Sequence, residues 1–147
     1  MNNQAMFKLS YGLFVLTARD GEKDNGCIIN TAIQAASTPN QLSICVNKTN
    51  YTHDMIVKTG IFTVSILNQK ASFDIFKRFG FASGRDVDKF ADYDECKRGE
   101  NRVYYITENT NAYISVKVSK TEDLGSHTRF VGEITDMEIL GDEPSVT

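Results

Sequence analysis

The sequence lacks any run of about 18 apolar residues, the length a helix needs to cross a bilayer, so no membrane-spanning helix is expected. The N-terminal stretch Met1-Asn2-Asn3-Gln4-Ala5-Met6 has no basic segment followed by an apolar one, so no secretory signal is expected either. Charge of one sign is also scarce. The net charge is −3, and without a strong basic excess a nucleic-acid partner is not expected. Cysteine is limited to three residues, Cys27, Cys45 and Cys96, too few for a disulfide framework. None of them forms a C-x-x-C pair, which argues against structural zinc or an iron–sulfur centre. As free thiols they fit a reducing cytoplasm. The phosphate signatures G-x-G-x-x-G and G-x-x-x-x-G-K-[ST] are missing, as is the G-x-S-x-G elbow. Nucleophilic catalysis therefore has little support, and a nucleotide would need some other scaffold.

What is present is 147 residues with 41% hydrophobic content, which suggests one domain with a real core. Leu13–Thr17 reads as a buried strand and Arg19–Gly26 as a polar hairpin turn. The stretch Asn25–Ser37 reads as one strand, turning at Thr38-Pro39-Asn40 into a second strand that ends at Asn47-Lys48. The first of these departs from apolar–polar alternation. It sets Asn30, Thr31, Gln34 and Ser37 among small Ala32, Ala35 and Ala36. Small side chains let a flat ligand approach the backbone, and amides and hydroxyls can fix its edges. A polar-edged wall of an ordinary barrel has the same pattern.

Asn50 or Thr52 is expected to cap a helix that carries Met55-Ile56-Val57 and ends at Gly60. Ile61–Leu67 alternates as a strand, and Phe73–Phe79 has helical spacing. The aromatic set Phe73, Phe76, Phe79 and Phe81 suits the core of an amphipathic helix, or the wall of a ring pocket. Gly84–Asn101 is strongly charged and reads as a surface excursion with one helical turn. Val103–Ile106, Ala112–Val118 and His127–Leu140 complete six or seven strands and two short helices. That inventory predicts a mostly β protein, an antiparallel barrel with helices outside.

Two places could carry chemistry. The helix start after Asn47-Lys48 offers unpaired N–H groups, a lysine and the donors Thr49, Asn50 and Thr52, a setting for a phosphate as well as for plain capping. His127, after the turn at Gly125-Ser126, could face a ligand or simply pack at the surface. His53 suits a supporting role, and two histidines so far apart make a weak case for metal.

The order of parts resembles the flavin reductase-like family of FMN-binding split barrels. The N-terminal flavin domains of clostridial high-molecular-weight rubredoxins are the nearest likeness. The resemblance rests on Tyr11–Thr17, Asn25–Thr31, Ser37-Thr38-Pro39, Val46-Asn47-Lys48, Tyr51–Asp54, Thr59–Phe62, Phe79-Gly80-Phe81, Ser83–Phe90 and Ser126–Glu133. It implies a homodimeric Greek-key split barrel holding FMN non-covalently, with NAD(P)H as co-substrate. By the same likeness Cys27, Ile28, Ile29, Asn30, Thr31, Ala32 and Gln34 would line the flavin ring. Cys45, Val46, Asn47, Lys48, Thr52 and His53 would complete the site, with Asn47, Lys48 and Thr52 on the ribityl chain and phosphate. His127 would position a nicotinamide, although Ser126 stands where the family often has an acid. Family chains run on past Gly141-Asp142 into a Tyr-rich tail, so residues 1–147 are expected to be one domain, open to truncation at the C-terminus. Without a C-x-x-C pair the chain has no iron module of its own. Electrons would pass to a rubredoxin-type partner, free flavin or oxygen. The alternative is an FMN carrier or electron-transfer module with no NAD(P)H site.

Overall fold

A computed structural model describes all residues, 1–147. Its elements in order are β1 (Phe14–Asp20), β2 (Lys23–Ile29), β3 (Ala32–Ser37), β4 (Asn40–Asn47), α1 (Tyr51–Thr59), β5 (Ile61–Leu67), α2 (Phe73–Gly80), β6 (Cys96–Arg98), β7 (Tyr104–Ile106), β8 (Thr110–Asp123) and β9 (His127–Ile139), after a short 3-10 turn at Asn3–Lys8. Seven strands form one antiparallel sheet in the order β2-β1-β5-β8-β9-β4-β3. Strands β6 and β7 form a separate hairpin.

The strand expected over Asn25–Ser37 is in fact two. β2 pairs with β1 at one edge of the sheet, and β3 pairs with β4 at the other. Consecutive in sequence, they are the two outermost strands, joined only by Asn30-Thr31. So short a link forces the sheet to roll until its edges meet, which makes a barrel split along that seam. Thr31 anchors the corner: its Oγ1 donates to the Cys45 carbonyl at 3.0 Å, and its own carbonyl accepts from the Cys45 N–H at 3.3 Å.

The apolar run of β1 is continuous because both its faces are covered. Leu16 and Ala18 point into the barrel core with Ile44, Phe62, Val64 and Phe130, and with Met55 and Ile56 of α1. Val15 points the other way, into a smaller core with Leu67, Ile75, Phe79 and Ile106. Asn50 caps α1, accepting the Thr52 N–H at 2.9 Å, and Gly60 ends it at φ +71°, where a side chain would be strained. In α2, Ile75 and Phe79 are buried, but Phe73 and Phe81 are 64% and 66% exposed, packed edge to face on each other. Only part of the aromatic set is therefore core.

The charged stretch Gly84–Asn101 is more than a surface excursion. It contributes β6, and Lys89 lies buried within it. No helix in the chain is long and apolar enough to cross a membrane.

Candidate functional site

A cleft of about 320 Å³ opens at the seam. The end of β2 supplies Ile28 and Ile29, the corner supplies Asn30 and Thr31, and the end of β4 supplies Cys45, Val46 and Asn47. Leu13 and Asn50 close the sides, and His127 stands at the start of β9. The register explains the meeting. Asn47 pairs directly with His127, and Cys45 with Arg129, so the last residues of β4 and the first of β9 share one rim. No carboxylate is among the lining residues.

His127 is half-buried, and its Nδ1 lies 2.8 Å from the Ser126 hydroxyl. Asn47 turns its own Oδ1 onto the Thr49 N–H at 2.9 Å and the Thr49 hydroxyl at 2.8 Å, holding the loop into α1.

A second compartment of about 290 Å³ shares Ile28, Asn47 and Asn50 with the first. Cys27, the α1 start at Thr49 and Tyr51, and the segment Phe79–Gly84 with Lys89 bound it. Burial pushes the Cys27 thiol up to about 11, only partly opposed by its hydrogen bond with Thr52 and by Lys89, so it stays protonated at neutral pH. Burial also pulls the Lys89 ammonium down from its ordinary value.

The segment is locked in place. Asn25 is buried, and its Nδ2 donates to the Thr52 hydroxyl at 2.9 Å. Gly84 lies so close that an added Cβ would sit 2.6 Å from that Nδ2 and nearer still to Oδ1. Arg85 bonds Asp54 and covers the Tyr51 ring at 4.7 Å. Asp54 in turn bonds His53 Nδ1 at 2.9 Å, and that bond leads in holding its carboxyl below the usual range. His53 Nε2 reaches the Thr128 hydroxyl at 2.7 Å, next to His127.

The sequence-derived set divides on this geometry. Ile28, Ile29, Asn30, Thr31, Cys45, Val46, Asn47 and His127 line the first compartment, and Cys27 lines the second. Ala32, Gln34, Lys48, Thr52 and His53 line neither. Gln34 is exposed on the edge strand and bonds Asn40. The Lys48 Nζ is held by Asp123 at 2.6 Å. Thr52 and His53 are buried and brace α1 from behind. The sequence reading had offered Asn50 as a donor at the helix start and Phe79 as part of a ring-pocket wall, but it missed Leu13 and the lining residues of Ala82–Lys89. The last of these carried a signal, since Ser83–Phe90 is part of the family likeness.

The flavin reductase-like domain matches residues 6–146. Over 147 residues the chain is 39% identical to the ferric-chelate reductase (NAD(P)H) of Archaeoglobus fulgidus, covering all of this chain and 86% of that protein. It is 36% identical over 140 residues to the high molecular weight rubredoxin of Moorella thermoacetica, covering 95% of this chain but only 61% of the rubredoxin. An NADH:FAD oxidoreductase of Streptomyces globisporus has the same fold, with TM-score 0.83 at 23% identity over 92% of this chain and 80% of its own. So has an FMN-binding protein of Thermus thermophilus, with TM-score 0.80 at 21% identity over 89% of this chain and 71% of its own. On its match over nearly the whole length and on these relatives, the chain belongs to the flavin reductase-like domain family, a family of flavin-dependent oxidoreductases.

Proposed function

We propose that residues 1–147 form one domain of a homodimeric, cytoplasmic oxidoreductase that takes reducing equivalents from NAD(P)H through non-covalently bound FMN. The acceptor is a rubredoxin-type protein, free flavin or oxygen. One observation carries the reading: the seam brings backbone, amide and apolar groups of β2, β4 and β9 into a single cleft with His127 at its edge. The residues fit a flavin. Leu13, Ile28, Ile29 and Val46 are apolar wall, Asn30, Thr31 and Asn47 are polar edge, and no carboxylate repels a ring that gains negative charge on reduction. When bound, the flavin supplies the hydride and electron chemistry.

The residues of the chain do the rest. The apolar wall excludes water from the ring face. The Thr31–Cys45 hydrogen bonds hold the corner rigid. His127, fixed by Ser126 through Nδ1, leaves Nε2 without a protein partner and positions the nicotinamide. The names of the relatives support the parts: a reductase using NAD(P)H, a rubredoxin and an FMN-binding protein. A second copy has apolar surface to cover, since Ile33 on the free edge and Met137 and Ile139 near the end of β9 are exposed.

The test is an absorption spectrum of the purified protein followed by anaerobic NADH and NADPH titration. Flavin peaks that bleach are the expected result. Peaks that persist under both would assign a carrier without a nicotinamide site, and a colourless protein that takes up no FMN would overturn the flavin reading. The His127→Ala variant should lose at least ~10-fold in kcat/KM for the nicotinamide while FMN affinity holds within ~2-fold. Unchanged kinetics would remove His127 from this role.

A further inference from the structure

Arg19 and Arg102 are the arginines of the chain that meet neither a carboxylate nor an aromatic ring. Arg85, Arg98 and Arg129 pair with carboxylates, and Arg78 covers the Tyr93 ring at 4.5 Å. The two left over line one cleft of about 230 Å³, walled by the Gly21 turn, the end of α1 at Thr59 and the loop from Asn101 to Val103. No carboxylate lines it. The acids nearest in sequence are turned elsewhere. Asp20 pairs with Lys58 at 2.9 Å, Asp24 with Arg98 at 2.8 Å, and Glu100 accepts the Thr135 hydroxyl at 3.0 Å. Glu22 is exposed on the turn between β1 and β2 and is not part of the lining.

Both cations are held in place from behind. The Arg19 Nε donates to the Gly21 carbonyl at 2.9 Å, which fixes the fork and leaves its two Nη groups uncommitted. Arg102 sits between β6 and β7 at φ +67°. A side chain in that left-handed region is strained, and glycine is the residue that fits it freely. The neighbours enforce it. The Arg102 N–H donates to Gly99 at 3.0 Å, its carbonyl accepts from Arg98 Nη1 at 2.8 Å, and Asn101 ties the loop to the Thr63 hydroxyl at 3.1 Å. Strain that the surroundings impose is found at ligand clamps. Neither guanidinium is needed to cap α1, because the Met55 carbonyl accepts the Thr59 hydroxyl at 3.0 Å and the Ile56 carbonyl accepts the Gly60 N–H at 2.8 Å.

We propose that this cleft binds a small doubly charged oxyanion, phosphate or a phosphate monoester, clamped between the Arg19 and Arg102 forks. A planar fork offers parallel N–H groups to two oxygens at once, which suits this geometry. The site is separate from the flavin cleft and does not rest on the flavin reading. Asn50 caps α1 at that cleft and Thr59 ends the helix here, so the two sites lie a 9-residue helix apart, roughly 13 Å.

The test titrates inorganic phosphate, and separately glycerol phosphate, into the purified protein at constant ionic strength. Amide proton–nitrogen correlation spectra of wild type should shift at Gly21, Thr59, Asn101 and Arg102, with Kd of order ~1 mM. Phosphate at ~20 mM should raise Tm by ~4 °C over matched chloride. The ion with the lower Kd identifies the source, free phosphate or an ester. Arg19→Gln should remove the shifts and the rise. Arg102→Gly should remove them too, yet without phosphate its Tm should equal or exceed that of wild type, because the left-handed strain is gone. An arginine kept only for structure would lower Tm when replaced. Shifts confined to Asn47–Tyr51, no response to either ion, a rise that survives both substitutions, or a lower phosphate-free Tm in Arg102→Gly would overturn the proposal. The wild-type spectra need no variant, so they decide even if Arg19→Gln fails to fold.

Discussion

Replacing Gly84 with alanine tests how the segment that carries Lys89 is seated. The added Cβ would meet the Asn25 amide at 2.6 Å or less, where ordinary contact starts at 3.4 Å. The two groups must part by about 1 Å, and overpacking of that kind typically costs 1–3 kcal/mol. There are two ways to yield. If Asn25 gives, its buried bond to the Thr52 hydroxyl is lost, at about 1–3 kcal/mol for the groups left unpaired. If the segment lifts, Lys89 loses its bonds to Gly26 and Phe79, at a similar or greater cost because the donor is charged. Either path comes to about 3 kcal/mol. For a chain of this length that lowers Tm by roughly 10 °C. Thermal unfolding followed by circular dichroism measures it. Gly21→Ala is the contrast: a Cβ there would meet nothing within 4 Å, and φ is +62°, so only backbone strain of about 1–2 kcal/mol arises. A Gly84→Ala melting point within ~2 °C of wild type would refute the tight seating, and with it the closed wall of the second compartment.

Two further outcomes follow from buried groups. The Cys27 thiol is pushed up to about 11 by burial, from an ordinary 9.0. Between those values the folded chain keeps a proton that the unfolded chain releases, so this residue's contribution to stability falls as pH rises. The fall is of order 2–3 kcal/mol across the window. Lys89, whose value is lowered, acts with the opposite sign, so the measurement is the difference in urea unfolding between wild type and Cys27→Ala from pH 8.5 to 11. Equal slopes would refute the thiol's part. Asn50→Ala removes the side-chain cap of α1. It should cost about 1 kcal/mol of stability in urea unfolding, and an unchanged midpoint would show that the cap bond does not hold the helix start.

Much of the fold could be read from period. The alternation of β5 and of the middle of β8, the Asn50 cap and the Gly60 stop are local chemistry, and local chemistry is visible in a single sequence. The break at Asn30-Thr31 was not, because a strand that changes partners carries no mark of it. Its residues stay extended on both sides, and only the pairing to β1 or to β4 separates β2 from β3. The cleft residues on β2, β4 and β9 were legible through the family likeness. Gln34 falls outside the cleft lining, since beyond the corner the chain pairs with β4 and the Gln34 side chain bonds Asn40. Lys48 and Lys89 show a second limit. Composition makes Lys48, next to a helix start, the obvious cation and Lys89 a member of a charged run. The structure buries Lys89 and leaves Lys48 paired with Asp123 at the surface, and that burial is fixed by contacts to Gly26 and Phe79, distant or unmarked in sequence.

The seam has a consequence for how this barrel responds to its ligand. In a closed barrel every strand has two neighbours, but here β2 and β3 each end the sheet, so the roll is free to loosen along one line. A molecule lodged between the ends of β2 and β4 spans that line. Its binding energy is then spent partly on keeping the cylinder shut, and the amides of Ala32–Ser37 become the gauge. Their exchange with deuterium should be fast in the free protein and slow in the loaded one, even though most of that strand touches nothing bound.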